Sequence, residues 1–230
     1  MHILIQRLNS PTNIQKMERS LDWVVYCNLK NLLACRNTTS SHDFLEEDAF
    51  KRHIGHYGMI RIDAAVPATN YVMDASYNNR RQNARVLHVF LIGAGSAAAS
   101  TLQNFNKMIQ TLTTEQLSSP DILIISSDPL SSFIRSRIKV LRQTYPQMYL
   151  EYHSTAKFSI VMYEHPSVPK HTILKVGDDA DLKTLDHAAL AQITTEDTQV
   201  VWLGAPEGTI LRIERVSATA CISIAYRLVV

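Results

Sequence analysis

The sequence predicts an α/β layered front part followed by a smaller, strand-rich α+β part. Three observations carry this reading. Over residues 1–156, segments with helical apolar spacing alternate with short β-branched runs. Two of those runs, Val86–Ile92 and Asp121–Ile125, are apolar almost throughout, as strands buried on both faces are. After about Lys157 the pattern changes, and strand-like runs follow one another with one short helical stretch among them. The expected units are therefore 1–156 and 157–230.

In chain order, Asn9 or Ser10 suits an N-cap and Pro11 a first helical turn. Ile14, Met17, Leu21, Val24, Val25, Leu29, Leu32 and Leu33 keep helical spacing, so helix is expected from Ser10 to Arg36. Asp43 and Glu46 are placed as a capping box before a short helix, Phe44–His53. Met59–Val66 and Tyr71–Asp74 read as strands around a Pro67 turn, and Asn78–Arg85 as a basic loop. After Val86–Ile92, a Gly-Ala-Gly turn leads into a helix ending near Leu112. Ser126–Pro129 is a turn, Ser131–Tyr145 an amphipathic helix, and Met148–Tyr152 and Phe158–Met162 are strands. In the back part, strands are expected at Val200–Leu203, Thr209–Ile213 and Ile222–Leu228, with a helix over Leu182–Leu190.

Composition bounds the function. Apolar residues reach 46% and charged residues 19%, with seven glycines and eight prolines, which excludes a disordered or collagenous chain and supplies a core. No run approaches eighteen consecutive apolar residues, so no transmembrane helix and no membrane partner are expected. The start, MHILIQRLNS, lacks a basic segment followed by a long apolar one, and no secretory signal is expected. Three scattered cysteines, Cys27, Cys35 and Cys221, do not make a disulfide framework, and Cys221 lies in a strand-like run where a small buried apolar role is expected. The net charge of +2 hides an asymmetry: residues 1–150 hold 16 Lys/Arg against 11 Asp/Glu, and residues 151–230 hold 7 against 10. That balance is too small for a dedicated DNA binder, and two ordinary solvated surfaces explain it as well.

Four motifs bear on chemistry. Gly93-Ala-Gly95 follows a strand and opens a helix, as a dinucleotide-binding turn does; a Rossmann-type nucleotide-binding oxidoreductase is the rival reading. The next candidate acid, Asp128, lies 33 residues beyond Gly95 where about 20 are usual, which favours a plain tight turn. His53 and His56 lack the i, i+4 spacing of a helical metal pair, Gly55 argues against a firm helix there, and no metal is expected. Asp178-Asp-Ala-Asp181 lacks the glycine and glutamate of a calcium loop and fits a helix start. Arg80, Arg81 and Arg85, and the helix bearing Arg135, Arg137, Lys139 and Arg142, suit either a phosphate backbone or a solvated face.

The last third holds an ordered series. His165-Pro-Ser-Val168-Pro169-Lys170-His171 is followed by Leu190-Ala-Gln-Ile193, then Asp197-Thr-Gln-Val-Val-Trp-Leu203-Gly204, then Gly208-Thr-Ile-Leu-Arg-Ile213. Arg215-Val-Ser217-Ala-Thr219 and Tyr226-Arg227 complete it. The series resembles the shared fifth subunit of eukaryotic nuclear RNA polymerases, whose C-terminal domain has a small archaeal polymerase subunit as its counterpart. The order and spacings of the family's His-x-x-Val-Pro-x-His, Asp-Pro-x-x-x-x-Leu-Gly, Arg-x-Ser-x-Thr and Tyr-Arg elements all match. Departures are Ala191, Gln192 and Thr198 in place of Pro, Arg and Pro, Trp202 where Tyr is common, and Cys221 after the place of a usual Gly.

The resemblance implies an N-terminal α/β jaw domain, 1–156, near downstream duplex DNA, and a C-terminal α+β assembly domain, 157–230. It implies a non-catalytic subunit, since the magnesium-binding carboxylates belong to the largest subunit. The partners implied are that largest subunit and neighbouring small shared subunits, without cofactor or small-molecule ligand. The location implied is the nucleus, nucleolar or nucleoplasmic by polymerase class, or a viral factory for a virus copy. Assembly contacts are expected at His165, Val168, Pro169, Lys170, His171, Arg212, Arg215, Tyr226 and Arg227. DNA-proximal residues are expected at Ser127, Pro129, Ser131 and Arg135. From the residues themselves, Pro169 holds Val168 extended, and Val168–His171 reads as a rigid linker. Alternation along Leu211–Arg215 leaves Arg212, Glu214 and Arg215 to face solvent or a partner.

Overall fold

The computed structural model describes residues 20–67, 86–93, 109–110, 112, 121–128, 130–146, 148–175, 189–217 and 221–230. The expectations for the chain before residue 20, for Tyr71–Asp74, for Arg80, Arg81 and Arg85, for Gly95, for Asp178–Asp181 and for most of Leu182–Leu190 lie outside the described residues, as does Pro129.

Helix α1 spans Leu21–Cys35 and starts at Ser20, whose Oγ accepts from the Trp23 amide at 3.3 Å. Val25, Leu29, Leu32 and Leu33 line its buried stripe. Helix α2 spans Glu47–Tyr57, later than the capping-box pattern predicts. Its N-cap is Glu46, with no side-chain cap bond, so the Asp43–Glu46 box does not form. Gly55 sits inside this helix, contrary to expectation; burial of Phe50 and Ile54 on the core outweighs its poor propensity. Gly58 ends α2 with φ 76, the left-handed conformation that suits glycine, and its amide returns to Ile54 O at 2.8 Å.

The first sheet has the order β1 (Met59–Ala65), β2 (Val86–Ile92), β3 (Asp121–Ser126), β4 (Tyr149–Ser154). β1 runs antiparallel to β2, whereas β2, β3 and β4 are parallel. β3 is buried at all six positions and β2 at six of seven, as central parallel strands covered on both faces must be. Helix α3 (Ser132–Thr144) connects β3 to β4, capped by Ser131 and seated through Ile134, Ile138 and Leu141 at i, i+4, i+7 spacing. Phe158–Met162 is not a strand: two 3-10 turns, Thr155–Phe158 and Met162–Glu164, occupy this stretch. Ser154 Oγ caps the first, and Asn28 Nδ2 donates to Phe158 O at 2.8 Å, so the local backbone finds partners outside any sheet.

The second sheet has the order β5 (Lys170–Ile173), β7 (Ile210–Ser217), β8 (Cys221–Val229), β6 (Ala191–Ile193). Among its described strands, β6 and β8 pair in parallel and the other pairs are antiparallel. Val168–His171, expected as a rigid linker, instead runs into β5, which is extended because it pairs with β7. Val200–Leu203, expected as a strand, belongs to helix α4 (Thr198–Leu203). Asp197 Oδ1 accepts from the Gln199 amide at 2.8 Å, and Gly204 at φ 60 stops the helix. These two caps outweigh the β-propensity of Val200 and Val201. The Gly204–Gly208 turn accordingly joins a helix to a strand. Cys221 is exposed and takes φ 56, not the buried apolar role expected, because it opens β8 at the hairpin end.

Helix α4 inserts into the core of the first sheet. Val201 and Trp202, 1% and 0% exposed, share one apolar cluster with α1, α2, β1, β2 and β3. Trp202 Nε1 donates to Lys157 O at 2.9 Å, and its ring meets Phe158 and Tyr163. Beside it lies Arg36, at the end of α1, with a fully buried side chain. Its guanidinium is bidentate to Glu151 of β4, at 3.1 and 2.9 Å, and also donates to Val201 O of α4 at 2.6 Å. Glu151 also meets His153 at 3.2 Å, and His153 lies 3.5 Å from Glu196, which Lys157 binds. Burial raises the Glu196 carboxyl, but Lys157 and His153 outweigh it and hold it below its ordinary range.

Gly93 ends β2 where α2 crosses it. A Cβ there would lie 2.3 Å from Ile54 Cγ2, and its amide donates to Gly58 O at 3.1 Å. The first glycine of the Gly-Ala-Gly turn is thus required by helix packing. A Cβ at Gly55, in contrast, meets nothing within 4 Å. Urea unfolding is expected to show Gly93→Ala destabilising by about 1–3 kcal/mol through overpacking, and Gly55→Ala stabilising by about 0.5–1 kcal/mol. Arg36→Ala is expected to cost about 3–5 kcal/mol, because it strips a buried carboxylate of its guanidinium. Replacing both ends, Arg36→Met with Glu151→Leu, is expected to recover most of that loss.

Candidate interaction surfaces

The second sheet carries six of the nine expected assembly contacts, and register sorts them. Cross-strand partners share a face, and successive residues alternate. One row runs Thr172, Arg212, Tyr226, and the next Lys170, Glu214, Ile224. The opposite face holds His171, Ile213, Ala225 in one row and Ile173, Leu211, Arg227, Ala191 in another. The nine expected contacts therefore do not form one patch. Lys170, Arg212 and Tyr226 lie on one face, and His171, Arg215 and Arg227 on the other.

His165, Val168 and Pro169 precede the sheet in a turn. It is closed by the Val168 amide to His165 O at 2.9 Å, and the Ser167 amide donates to His165 Nδ1 at 3.2 Å. His171 Nδ1 donates to Pro169 O at 2.7 Å, since a carbonyl only accepts. This fixes the ring and leaves Nε2 as its other polar end. Burial lowers the His171 pKa, the Pro169 bond and Asp197 oppose that, and Arg215 and Arg227 lower it further. Arg215 and Arg227 thus stand as the cations beside His171 at the rim of the core of Ile173, Leu211, Ile213 and Val229. Arg227 Nη1 lies 3.5 Å from Gln192 O, at the limit of contact.

The other face is different. Its buried end is a small cluster of Leu174, Ile210 and Leu228. Beyond it Arg212 pairs with Glu214. Further out, Val216 is 96% exposed, its cross-strand partner Ile222 58% and Ile224 46%. The face thus carries a solvent-exposed β-branched stripe beside an ion pair. Sequence reading missed Val216, Ile222 and Ile224 because their alternation signals only a strand face, not whether that face is covered. The signal was available at Val216 and Ile222, which flank the hairpin end where no described neighbouring strand reaches.

In the first sheet, Ser127, Ser131 and Arg135 cluster at the carboxyl end of β3 and the start of α3. Ser127 is half-buried, whereas Ser131 is exposed, with its Oγ accepting from the Ile134 amide at 3.3 Å as the helix cap. Arg135 is exposed one turn later. Helix α3 holds Arg135, Arg137, Lys139 and Arg142 and no Asp or Glu. His53 and His56 stand three apart on α2 beside Tyr57, and no group of three or more metal-ligating side chains occurs among the described residues.

Comparison with known proteins returns the same family twice. The family model described as RNA polymerase Rpb5, C-terminal domain, matches residues 160–229. The DNA-directed RNA polymerase subunit Rpo5 of the archaeon Staphylothermus marinus is 43% identical over 70 residues, which is 29% of this chain and 77% of that protein. The matched span holds β5, β6, α4, β7 and β8, the elements that build the second sheet and insert α4 into the first core. The chain therefore belongs to the RNA polymerase subunit 5 family.

Proposed function

We propose that this chain is a non-catalytic subunit of a multisubunit DNA-dependent RNA polymerase. In this reading 157–230 is the assembly domain that docks on the largest subunit beside small shared subunits. Residues 1–156 are a jaw near downstream duplex DNA, and the working location is the nucleus, within the polymerase. The observation that carries assembly is the open face of the β7–β8 pair. Val216, Ile222 and Ile224 are exposed there, beside Arg212 and Glu214, within the span shared with the polymerase subunit. Apolar groups beside a polar rim lose water on docking and contribute affinity. The His165–His171 segment is held by its own turn and by the Pro169–His171 bond, so it loses little freedom when a partner covers it.

The jaw reading rests on α3. Its cations have no acid on their own helix, so they attract phosphates without reading sequence. Ser127, Ser131 and Arg135 lie at the end of that helix that would approach the duplex.

The test is a tagged pull-down from native extract with mass-spectrometric identification. Co-purification of the two largest polymerase subunits in stoichiometric amount is expected. Val216→Asp combined with Ile222→Asp is expected to abolish it without unfolding the chain, since both positions are exposed. Recovery of the chain alone in the wild-type experiment would sink the proposal. In the assembled enzyme, Arg135→Glu is expected to weaken duplex DNA binding at low salt and to reduce the salt slope by about one. An unchanged affinity would remove Arg135 from the DNA path.

A further inference from the structure

A cleft lies at the edge of the first sheet, away from the β7–β8 face. Strand β4 ends the first sheet, and among the described residues no strand pairs with its outer edge. That edge opens into the cleft, of about 1010 Å3. The cleft has two unlike walls, because the two faces of β4 meet different partners. Leu150 and Tyr152 pack with α3, whereas Glu151 and His153 face Arg36 and Glu196. The wall on the α3 side carries Arg135, Lys139 and Arg142. The wall on the α4 side is backed by Val200, Val201 and Pro206, all buried, and its exposed groups are Glu196 and Glu207. Arg142 Nη2 donates to Leu150 O at 2.7 Å, which is the kind of bond an added strand's amide would make to the edge.

We infer that the β4 edge is a docking groove for an extended acidic segment of a partner protein, bound as a fifth strand of the first sheet. An added strand alternates its side chains between the two walls. Positions turned toward α3 meet three cations and take carboxylates. Positions turned toward α4 face the exposed carboxylates of Glu196 and Glu207, which repel acids there, over a floor of buried Val200, Val201 and Pro206, and so take small aliphatic groups. The recognised pattern is therefore acidic–aliphatic alternation. On docking, the strand's amide takes over Leu150 O, and the Arg142 guanidinium moves to a carboxylate, so no polar group is lost in the exchange. This inference does not rest on the polymerase proposal, and its test uses the purified full chain alone.

The probe is a fluorescent peptide of alternating Glu and Val spanning the six residues of β4, followed by anisotropy. Two controls have the same composition: one with Glu and Val in separate blocks, and one with backbone N-methylation on one edge. Saturable binding of the alternating peptide is expected. Both controls, and the alternating peptide with Arg135→Glu/Lys139→Glu protein, are expected to bind at least about tenfold more weakly. Hydrogen exchange of β4 amides is expected to slow on binding, without the same change in β7 and β8. Equal binding of all three peptides would reduce the site to plain charge attraction and overturn the proposal. So would the absence of saturable binding by the alternating peptide, or protection confined to β7 and β8.

Discussion

The molecule depends on a guanidinium taken wholly out of water. Arg36 ends α1, and its donors reach Glu151 on β4 and Val201 O on α4. A charge so buried is tolerable only when paired and hydrogen-bonded, so the three elements must meet at fixed geometry or not at all. Around this point the apolar packing closes: Trp202, Phe158 and Leu29 are all 0% exposed. The apolar burial supplies the bulk of the stabilisation, and the guanidinium supplies the register. Residues far apart in sequence, 36, 151 and 201, thereby set how the second sheet is held against the first.

Much of this was legible in the sequence where a single period or cap decides. The Val86–Ile92 strand has the expected bounds, and α3 follows its Ser131 cap. Failures came where local propensity and tertiary context disagreed. Val200–Leu203 is rich in β-branched and aromatic residues, yet Asp197 and Gly204 cap it as a helix whose burial repays the propensity deficit. Phe158–Met162 carries strand-like residues, but Phe158 is drawn into the Trp202 cluster and the chain turns in 3-10 fashion. Gly55 forms helix because the apolar face on either side of it is buried. Arg36 gave no signal at all, since nothing in one chain's spacing marks a long-range partner.

The sequence groups the candidate contacts as one set, and the fold divides them between surfaces. Motif order gathers His165 to Arg227 into one family pattern, whereas β register divides them between two faces. On one face His171, Arg215 and Arg227 edge a core that α4 completes. There they act on packing and electrostatics at once. On the other, Arg212 and Glu214 pair beside apolar residues that nothing described in this chain covers. A motif match reports that residues matter together. Only the pleat reports which of them can touch one partner.

Exposed apolar area is distributed unevenly over this chain. Helix α3 exposes Phe133 and Val140 singly among cations, a pattern ordinary for a solvated helix. The β7–β8 ribbon instead gathers Val216, Ile222 and Ile224 on one face, at the end farthest from the buried cluster of Leu174, Ile210 and Leu228. A monomer that gained only from its own core would place polar residues there, since a strand face costs nothing to make hydrophilic where no neighbour packs. The β4 edge carries a complementary feature, a row of main-chain groups with one carbonyl already served by an arginine from outside the sheet. One surface offers side chains and the other offers backbone, so the two would select partners by different physics: area removed from water on the ribbon, and hydrogen-bond register with charge at the edge.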